Sequence, residues 1–262
     1  MTLDEVIITR AIVERFTEKL LDCVDLDVAI VGGGVSGLVA AWRLGQKRRK
    51  VAVFERKLTI GGGMWGGGMM FNEIVVQEPA KRILDELGIT ARPYDQGYYT
   101  ADAIEAVTTL GSQTMKAGAR VFNCIHVEDV MVRENRVTGL VIGWSPVEIA
   151  GLHVDPMTVR SKYVVDATGH DVDIVKVFLR KNPPAVLFTE TGGIMGERSM
   201  WADVGEVQTV EYTKEVYPGL FVSGMAATAS WGTNRMGPIF GGMLLSGERA
   251  AELIEARLAA ER

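Results

Sequence analysis

A short apolar run that ends in a glycine-rich turn constrains this 262-residue chain more than any other feature. Residues 28–31 (Val-Ala-Ile-Val) have the length and composition of a buried strand, and residues 38–44 after the turn predict a helix. Gly32 permits a tight turn, Gly34 allows a phosphate group to approach the backbone, and Gly37 allows helix and strand to pack closely. This order predicts the β-turn-α unit that begins a Rossmann-like α/β fold.

A second strand with an acidic residue at its end strengthens this interpretation. Residues 51–54 (Val-Ala-Val-Phe) are apolar, and Glu55 follows them directly. A carboxylate at this place can accept hydrogen bonds from both ribose hydroxyls of an adenosine. The N-terminal N–H groups of the first helix attract the phosphates. A glycine-rich turn without a ligand is the alternative, but strand, turn, helix, strand and acid in this order favour a site for an ADP-containing ligand.

Composition narrows the class of function. Hydrophobic residues make up 47% of the chain, which is ample for a core. The net charge is −5, and residues 47–50, a short basic run, fit a solvated turn, so nucleic-acid binding is not expected. Residues 1–21 have the pattern of an amphipathic helix rather than of a signal peptide. No apolar run is long enough to span a bilayer, so no membrane partner is expected.

The number and spacing of the cysteines indicate the cellular compartment. Cys23 and Cys124 are the two cysteines of the sequence, and they form no CxxC spacing. Neither a disulfide framework nor a cysteine zinc site is therefore supported. This usage favours a reducing, cytoplasmic environment.

Further elements follow from apolar and glycine spacing. Residues 61–68 contain six glycines, which would be costly in backbone entropy unless a ligand must approach the main chain. This loop is therefore predicted to cover the same ligand as Glu55. Helices are predicted at residues 79–88, 102–117 and 242–259. Strands are predicted at residues 120–123, 127–132, 136–144, 161–169 and 219–224.

This order of elements resembles the glutathione-reductase type of dinucleotide-binding fold, which takes FAD or NAD. The chain is predicted to be one such domain over residues 1–262, with an inserted β-rich lobe at about 120–160 that contributes the reaction centre. In FAD enzymes of that type an aspartate usually follows the late strand and holds the ribityl chain. Here Met225 follows Gly224, and a thioether cannot replace that carboxylate. An FAD-dependent oxidoreductase is therefore the weaker interpretation.

Two histidines and an aspartate are candidates for a metal site. His153 and Asp155 are two positions apart, which in a strand places them on one face, and His170 follows the turn at residues 166–169. Imidazole and carboxylate together suit an iron-type divalent metal. Two turn-stabilising histidines are an equally good interpretation, and His126 is interpreted as structural.

An arginine near the C-terminus is a candidate for substrate binding. Arg235 lies in a glycine- and proline-rich turn just before the last predicted helix. A guanidinium in that position is suited to bidentate binding of a carboxylate. A salt bridge at the helix entry is the alternative.

Together these motifs resemble the thiamine thiazole synthase family over nearly the entire chain. The resemblance is carried by residues 32–37, 55–56, 61–68, 153–156, 166–170 and 235–238. In fungal and plant members a cysteine stands two residues before the Asp-Pro step and gives up its sulfur in a single turnover. His153 occupies that place here and cannot donate sulfur. The chain therefore resembles the archaeal-type branch, which uses free sulfide and iron and can turn over.

The resemblance implies a role for each matching residue. Asp155 and His170 would ligate Fe(II), with Asp155 reaching the site of an adjacent subunit in a homo-octamer. Arg235 would hold the carboxylate of glycine. His153, His170 and Asp155 are the catalytic candidates, and which of them moves protons is left open. The residues expected to hold the ADP part of NAD are Gly32, Gly34, Ser36, Gly37, Glu55, Arg56 and Gly63, with Val127 and Met225 lining the nucleotide.

The implied reaction belongs to thiamine biosynthesis and consumes NAD rather than reducing it. Nicotinamide leaves, the ADP-ribose tautomerises to a ketone, and glycine condenses with it to an imine. Sulfide then enters, and dehydration and ring closure give an ADP-linked thiazole carboxylate. Such an enzyme belongs to the pentosyltransferase class. The alternatives are an FAD-dependent oxidoreductase and a ribose-1,5-bisphosphate isomerase, since the pathway itself contains an aldose-to-ketose step.

Overall fold

An eight-stranded sheet is the centre of the fold in the computed structural model, which describes residues 2–261. The strands are β1 (Asp25–Val31), β2 (Val51–Phe54), β3 (Glu73–Gln77), β4 (Arg92–Pro93), β5 (Tyr98–Asp102), β6 (Arg120–Phe122), β7 (Ile125–Arg133), β8 (Arg136–Trp144), β9 (Met157–Asp166), β10 (Glu215–Tyr217) and β11 (Leu220–Val222). The helices are α1 (Glu5–Leu21), α2 (Val35–Gln46), α3 (Lys81–Leu87), α4 (Ala103–Lys116), α5 (Ser145–Ile149), α6 (Asp173–Lys181), α7 (Ala202–Glu211), α8 (Met225–Trp231) and α9 (Gly241–Ala260). None of the described helices is long and apolar enough to cross a bilayer.

Five strands of the central sheet run parallel, in the order β11-β9-β1-β2-β6. The last residue of β1, Val31, pairs with Phe54 of β2 and with Asp166 of β9, and Asp166 also pairs with Val222 of β11. Four carboxyl ends therefore meet at one edge, which is where ligands bind in sheets of this kind. The predicted α/β, Rossmann-like fold is confirmed.

The β-rich segment predicted at about 120–160 continues the central sheet. β6 pairs with β2, and β7 and β8 form a hairpin that joins β9 through β8. Glu134 and Asn135 form the hairpin turn with φ values of 48° and 59°, the left-handed pair that a two-residue turn favours. A separate antiparallel sheet, in the order β3-β5-β4, was not predicted from the sequence.

The predicted helices and strands are close to those observed, except that β9 begins at Met157 and ends at Asp166 where the sequence predicts a strand over 161–169, and the basic run needs a correction. α1 confirms the N-terminal helix, and none of its residues is buried. α4 begins after Asp102, whose carboxylate accepts hydrogen bonds from two N–H groups of the first turn. Arg49 does not lie in a solvated turn, because its guanidinium is buried and makes two 2.7 Å hydrogen bonds with Glu255 of α9.

Backbone packing explains two glycines of the first turn. Gly32 has a φ of 101°, a conformation that favours glycine, and a Cβ there would overlap the carbonyl oxygen of Ala167. A Cβ at Gly37 would overlap the carbonyl oxygen of Gly32. Gly34 differs from both, since a Cβ there would meet no atom within 4 Å. The overlap at Gly37 confirms its predicted role, which is to let the helix and the strand pack closely.

A buried carboxyl group lies where α7 meets the start of α9. The Glu206 carboxylate accepts a hydrogen bond from the backbone N–H of Gly242, and its Oε1 atom is buried without a partner among the described residues. Burial raises the pKa of Glu206 to about 7 from its usual 4.5. A carboxyl group in this state destabilises the fold when it must ionise.

We expect Gly37→Ala to lower the free energy of unfolding by about 2 kcal/mol, because the added methyl group would overlap backbone. Gly34→Ala is the matched control within the same turn, and its stability should be unchanged or up to about 1 kcal/mol higher. Urea unfolding followed by circular dichroism measures both. Equal stability of the two variants would contradict this account of the turn.

Glu206→Gln should stabilise the protein by about 3 kcal/mol at pH 8 and by nothing at pH 4. Below pH 4.5 the carboxyl is protonated in the folded and unfolded states alike. As the pH rises towards about 7, the unfolded chain releases the proton while the folded chain retains it, so stability falls. Urea unfolding at both pH values checks this, with Glu211→Gln at the exposed end of α7 as the control. A pH-independent effect would argue against it.

Candidate active site

A cavity of about 770 Å³ lies at the carboxyl edge of the central sheet. Its walls come from the first glycine turn, the residues after β2, the glycine-rich loop, the start of β7, the turn after β9 and the segment before α9. The predicted site residues that line it are Gly32, Gly34, Ser36, Glu55, Arg56, Gly63, Val127, His170, Met225 and Arg235. Predicted site residues that are far apart in the sequence therefore meet in one cavity. Three predicted site residues do not line it: Gly37, which packs beneath the first turn, and His153 and Asp155.

Backbone amides hold Glu55 at the end of β2. Its Oε2 atom accepts a hydrogen bond from the N–H of Gly33, and its Oε1 atom accepts one from the N–H of Lys57, both at 2.8 Å. The residue as a whole is only 7% exposed. Each carboxylate oxygen can accept a further bond, so Glu55 is fixed and still able to bind hydroxyl groups.

Two glycines leave open space in the cavity wall. A Cβ at Gly34 or Gly63 would meet no protein atom within 4 Å, and both residues line the cavity. The N–H of Gly61 donates to the carbonyl oxygen of Gly33 at 2.6 Å, which ties the glycine-rich loop to the first turn. Together they form a concave backbone surface that a phosphate chain could approach.

Arg56 and Met225 give the cavity wall a charged and an apolar part. The half-exposed guanidinium of Arg56 contacts Asp171 at 3.5 Å and Asp173 at 3.2 Å. Met225 is the first residue of α8 and is 8% exposed, so an apolar side chain occupies this part of the wall. The cavity therefore lacks a carboxylate at the position of the ribityl-binding aspartate.

A fully buried carboxylate shapes the turn that carries His170. Asp166 accepts hydrogen bonds from the backbone N–H and hydroxyl of Thr168, and from the N–H groups of Ile174 and Val175 at the start of α6. Burial raises the pKa of Asp166, and the hydrogen bonds oppose that rise. The end of β9 is thereby joined to α6, and the position of His170 between them is fixed.

His170 and Arg235 meet at a shared carboxylate. The Nδ1 atom of His170 lies 2.6 Å from Oε1 of Glu197, and Nε of Arg235 lies 3.7 Å from Oε2 of the same residue. Both predicted residues therefore line the cavity beside a third charged group. Sequence reasoning missed Glu197, which follows Gly196 as a lone acid and belongs to no spaced motif.

The structure places His153 and Asp155 outside this cavity. Both line a second recess, of about 460 Å³, in the loop before β9. The two residues would share one face only within a strand, and they lie before β9, which begins at Met157. Among residues 2–261, no group of three or more His, Cys, Asp or Glu side chains is placed to hold a metal. Asp155 and His170 of one chain are therefore not brought together.

His126 has a larger role in the geometry than the sequence indicated. It lines both the main cavity and the second recess. Its Nδ1 atom lies 3.1 Å from Oε2 of Glu148 on α5. The spacing of residues along β7 carries no sign of this, because the contact depends on how α5 packs.

Comparison with known proteins shows the family of this chain. A model described as the Thi4 family matches residues 9–240. The thiamine thiazole synthase of Desulfosudis oleivorans is 60% identical over 256 residues, which cover 97% of this chain and 99% of that protein. The thiamine thiazole synthase of Methanothermobacter thermautotrophicus is 60% identical over 258 residues, which cover 98% and 100%. The crystal structure of Thermovibrio ammonificans THI4 matches with a TM-score of 0.96 and 55% identity, covering 98% of this chain and 100% of that one. This chain belongs to the Thi4 family.

Proposed function

We propose that this protein is an enzyme of thiamine biosynthesis that makes the thiazole. The observation that carries the proposal is the near full-length match to thiamine thiazole synthases, at 60% identity in two cases. The cavity supports it, because ten predicted site residues from separate parts of the chain line one space.

NAD is the proposed source of the carbon skeleton. Glu55 would accept hydrogen bonds from the adenosine ribose, and the backbone at Gly34 and Gly63 would lie against the pyrophosphate. The open space beside both glycines fits such a ligand. Val127 and Met225 would supply apolar contact, since both line the cavity and are buried. NAD would be consumed, with loss of nicotinamide.

Glycine is the proposed second substrate, bound at the other end of the cavity. Arg235 would hold its carboxylate, and none of the described contacts engages the Nη atoms of this guanidinium. The glycine nitrogen would then face the ketone formed from ADP-ribose, and their condensation gives an imine. Holding both partners in one cavity turns a bimolecular step into an effectively unimolecular one.

Fe(II) is the proposed metal, and one chain supplies half of the predicted ligand set. His170 lies in the cavity with its Nδ1 atom on a carboxylate, an arrangement common for metal-binding histidines. We propose that Asp155 reaches this site from an adjacent subunit of a homo-octamer, since it is exposed and lies in the other recess of its own chain. Bound Fe(II) would act as a Lewis acid and template.

Sulfide is the proposed sulfur source. His153 stands where a sulfur-donating cysteine would be required, and an imidazole cannot donate sulfur. His153, His170 and Asp155 remain the candidates for proton transfer. The product would be an ADP-linked thiazole carboxylate, which places the enzyme in the pentosyltransferase class. A cytoplasmic location remains a prediction from the cysteine usage.

The two alternatives have less support. Met225 leaves the cavity without the carboxylate expected of an FAD-dependent oxidoreductase. A ribose-1,5-bisphosphate isomerase would need no site for glycine or sulfide, and Arg235 would then have no assigned role. Family membership favours thiazole synthesis over both.

Gly34→Ala should weaken NAD binding at least about tenfold, equivalent to roughly 1.4 kcal/mol. The added methyl group would fill the space where we place the pyrophosphate, while the fold has room for it. Isothermal titration with NAD measures the change. Gly193→Ala is the control, because a Cβ there also meets no atom within 4 Å and the residue does not line the cavity. Unchanged affinity in Gly34→Ala would reject this placement of the nucleotide.

The purified protein should convert NAD, glycine and sulfide to an ADP-linked thiazole carboxylate under anaerobic conditions with Fe(II). More than one product molecule per subunit is expected, since the proposal requires no sulfur from the protein itself. Mass spectrometry of the released small molecules measures the product. Absence of the thiazole, or bound FAD in stoichiometric amount, would refute the proposal. Conversion of ribose 1,5-bisphosphate without NAD would instead support the isomerase.

A further inference from the structure

The Glu197 carboxylate lies between the two side chains to which we assign the metal and glycine. One oxygen lies 2.6 Å from Nδ1 of His170, and the other lies 3.7 Å from Nε of Arg235. The Glu197 side chain is 17% exposed, whereas His170 and Arg235 are 51% and 53% exposed. The carboxylate is therefore the most enclosed member of this trio.

Backbone hydrogen bonds on both sides fix the position of Glu197. The N–H of Gly196 donates to the carbonyl oxygen of Ala229 at 2.9 Å, and the N–H of Arg198 donates to that of Thr233 at 2.8 Å. The N–H of Arg235 in turn donates to the carbonyl oxygen of Arg198 at 3.3 Å. Glu197 and Arg235 therefore lie on adjoining segments joined through the main chain.

The chemistry of the contact determines which ring nitrogen of His170 carries the proton. A carboxylate only accepts hydrogen bonds, so the 2.6 Å contact with Oε1 of Glu197 favours the form of the ring in which Nδ1 carries the proton and donates it. In a neutral ring the proton on Nδ1 leaves Nε2 as the nitrogen with a free lone pair. No described contact engages Nε2, and His170 lines the cavity.

We propose that Glu197 is a positioning residue that keeps the proton of His170 on Nδ1 and offers Nε2 to the cavity. Arg235 is the second anchor of the same carboxylate and limits its rotation. The role of Nε2 as a metal ligand rests on the proposed function, whereas the position of the proton does not. A surface ion pair that contributes only to stability is the alternative explanation.

Solid-state 15N NMR of the full-length protein, labelled at its histidines, tests the position of the proton. The chain has three histidines, so His126→Gln and His153→Gln assign the signals. In spectra recorded at alkaline pH, His170 should show a protonated Nδ1 and an unprotonated Nε2. In Glu197→Ala the Nε2-protonated form, which imidazole prefers in water, should become the major one.

Two further variants keep the test decisive. Glu197→Asp retains the charge but shortens the side chain, so it should also shift the His170 tautomers towards the Nε2-protonated form. This variant replaces Glu197→Ala in the test if Glu197→Ala does not fold. Glu190→Ala removes an exposed carboxylate from the same segment and should leave His170 unchanged. A wild-type His170 protonated on Nε2, or a tautomer that is the same in all folded variants, would overturn the proposal.

Anaerobic titration with Fe(II) alone gives a second measurement. Glu197→Ala should bind Fe(II) about tenfold or more weakly than the wild type, as is typical when the partner of a metal-binding histidine is lost. Glu190→Ala should bind as the wild type does. The NMR result is obtained without substrates, so a failure of thiazole synthesis would leave it standing. The tautomer and the proposed function can therefore fail separately.

Discussion

The fold depends on a close approach of backbone segments at the carboxyl ends of β1 and β9. Gly32 lies against the carbonyl group of Ala167, and Gly37 lies against that of Gly32, with no space for a side chain at either glycine. This contact fixes where α2 begins and where the turn towards His170 starts. Two walls of the cavity are therefore positioned by steric exclusion between main-chain atoms, before any side chain is considered.

Acidic side chains in and behind the cavity wall then fix its geometry. Glu55 and Asp166 are both buried, and both are satisfied by backbone N–H groups. Glu197 is held instead by main-chain bonds on either side and extends its carboxylate to two cavity residues. Glu55 thus lines the cavity directly, whereas Asp166 and Glu197 act from behind its wall by fixing the turn that carries His170 and by contacting His170 and Arg235.

Much of this was predictable from local sequence, because the signals are local. The β-turn-α unit that ends near Glu55 is predicted by an apolar run, by the spacing of three glycines and by one acidic residue after the second strand. Each of these signals spans only a few residues of sequence. Glu197 and His126 were not predictable as site residues, since their contacts depend on how distant segments pack. The loop that carries His153 and Asp155 shows the same limit, because a two-residue spacing predicts a shared face only where a strand exists. The small sheet of β3, β4 and β5 was missed because its strands are short and interrupted by turns.

The glycine-rich loop has a consequence for how affinity and stability are divided. Six glycines within eight residues make a segment that loses much conformational entropy when it is ordered. Here the N–H of Gly61 donates a hydrogen bond to the carbonyl oxygen of Gly33, and the N–H of Gly68 donates one to that of Glu73. The segment is therefore ordered by the fold itself. The entropy is therefore lost when the chain folds rather than when a ligand arrives. A preorganised loop of this kind lowers the stability of the protein and raises the affinity of its binding site by related amounts.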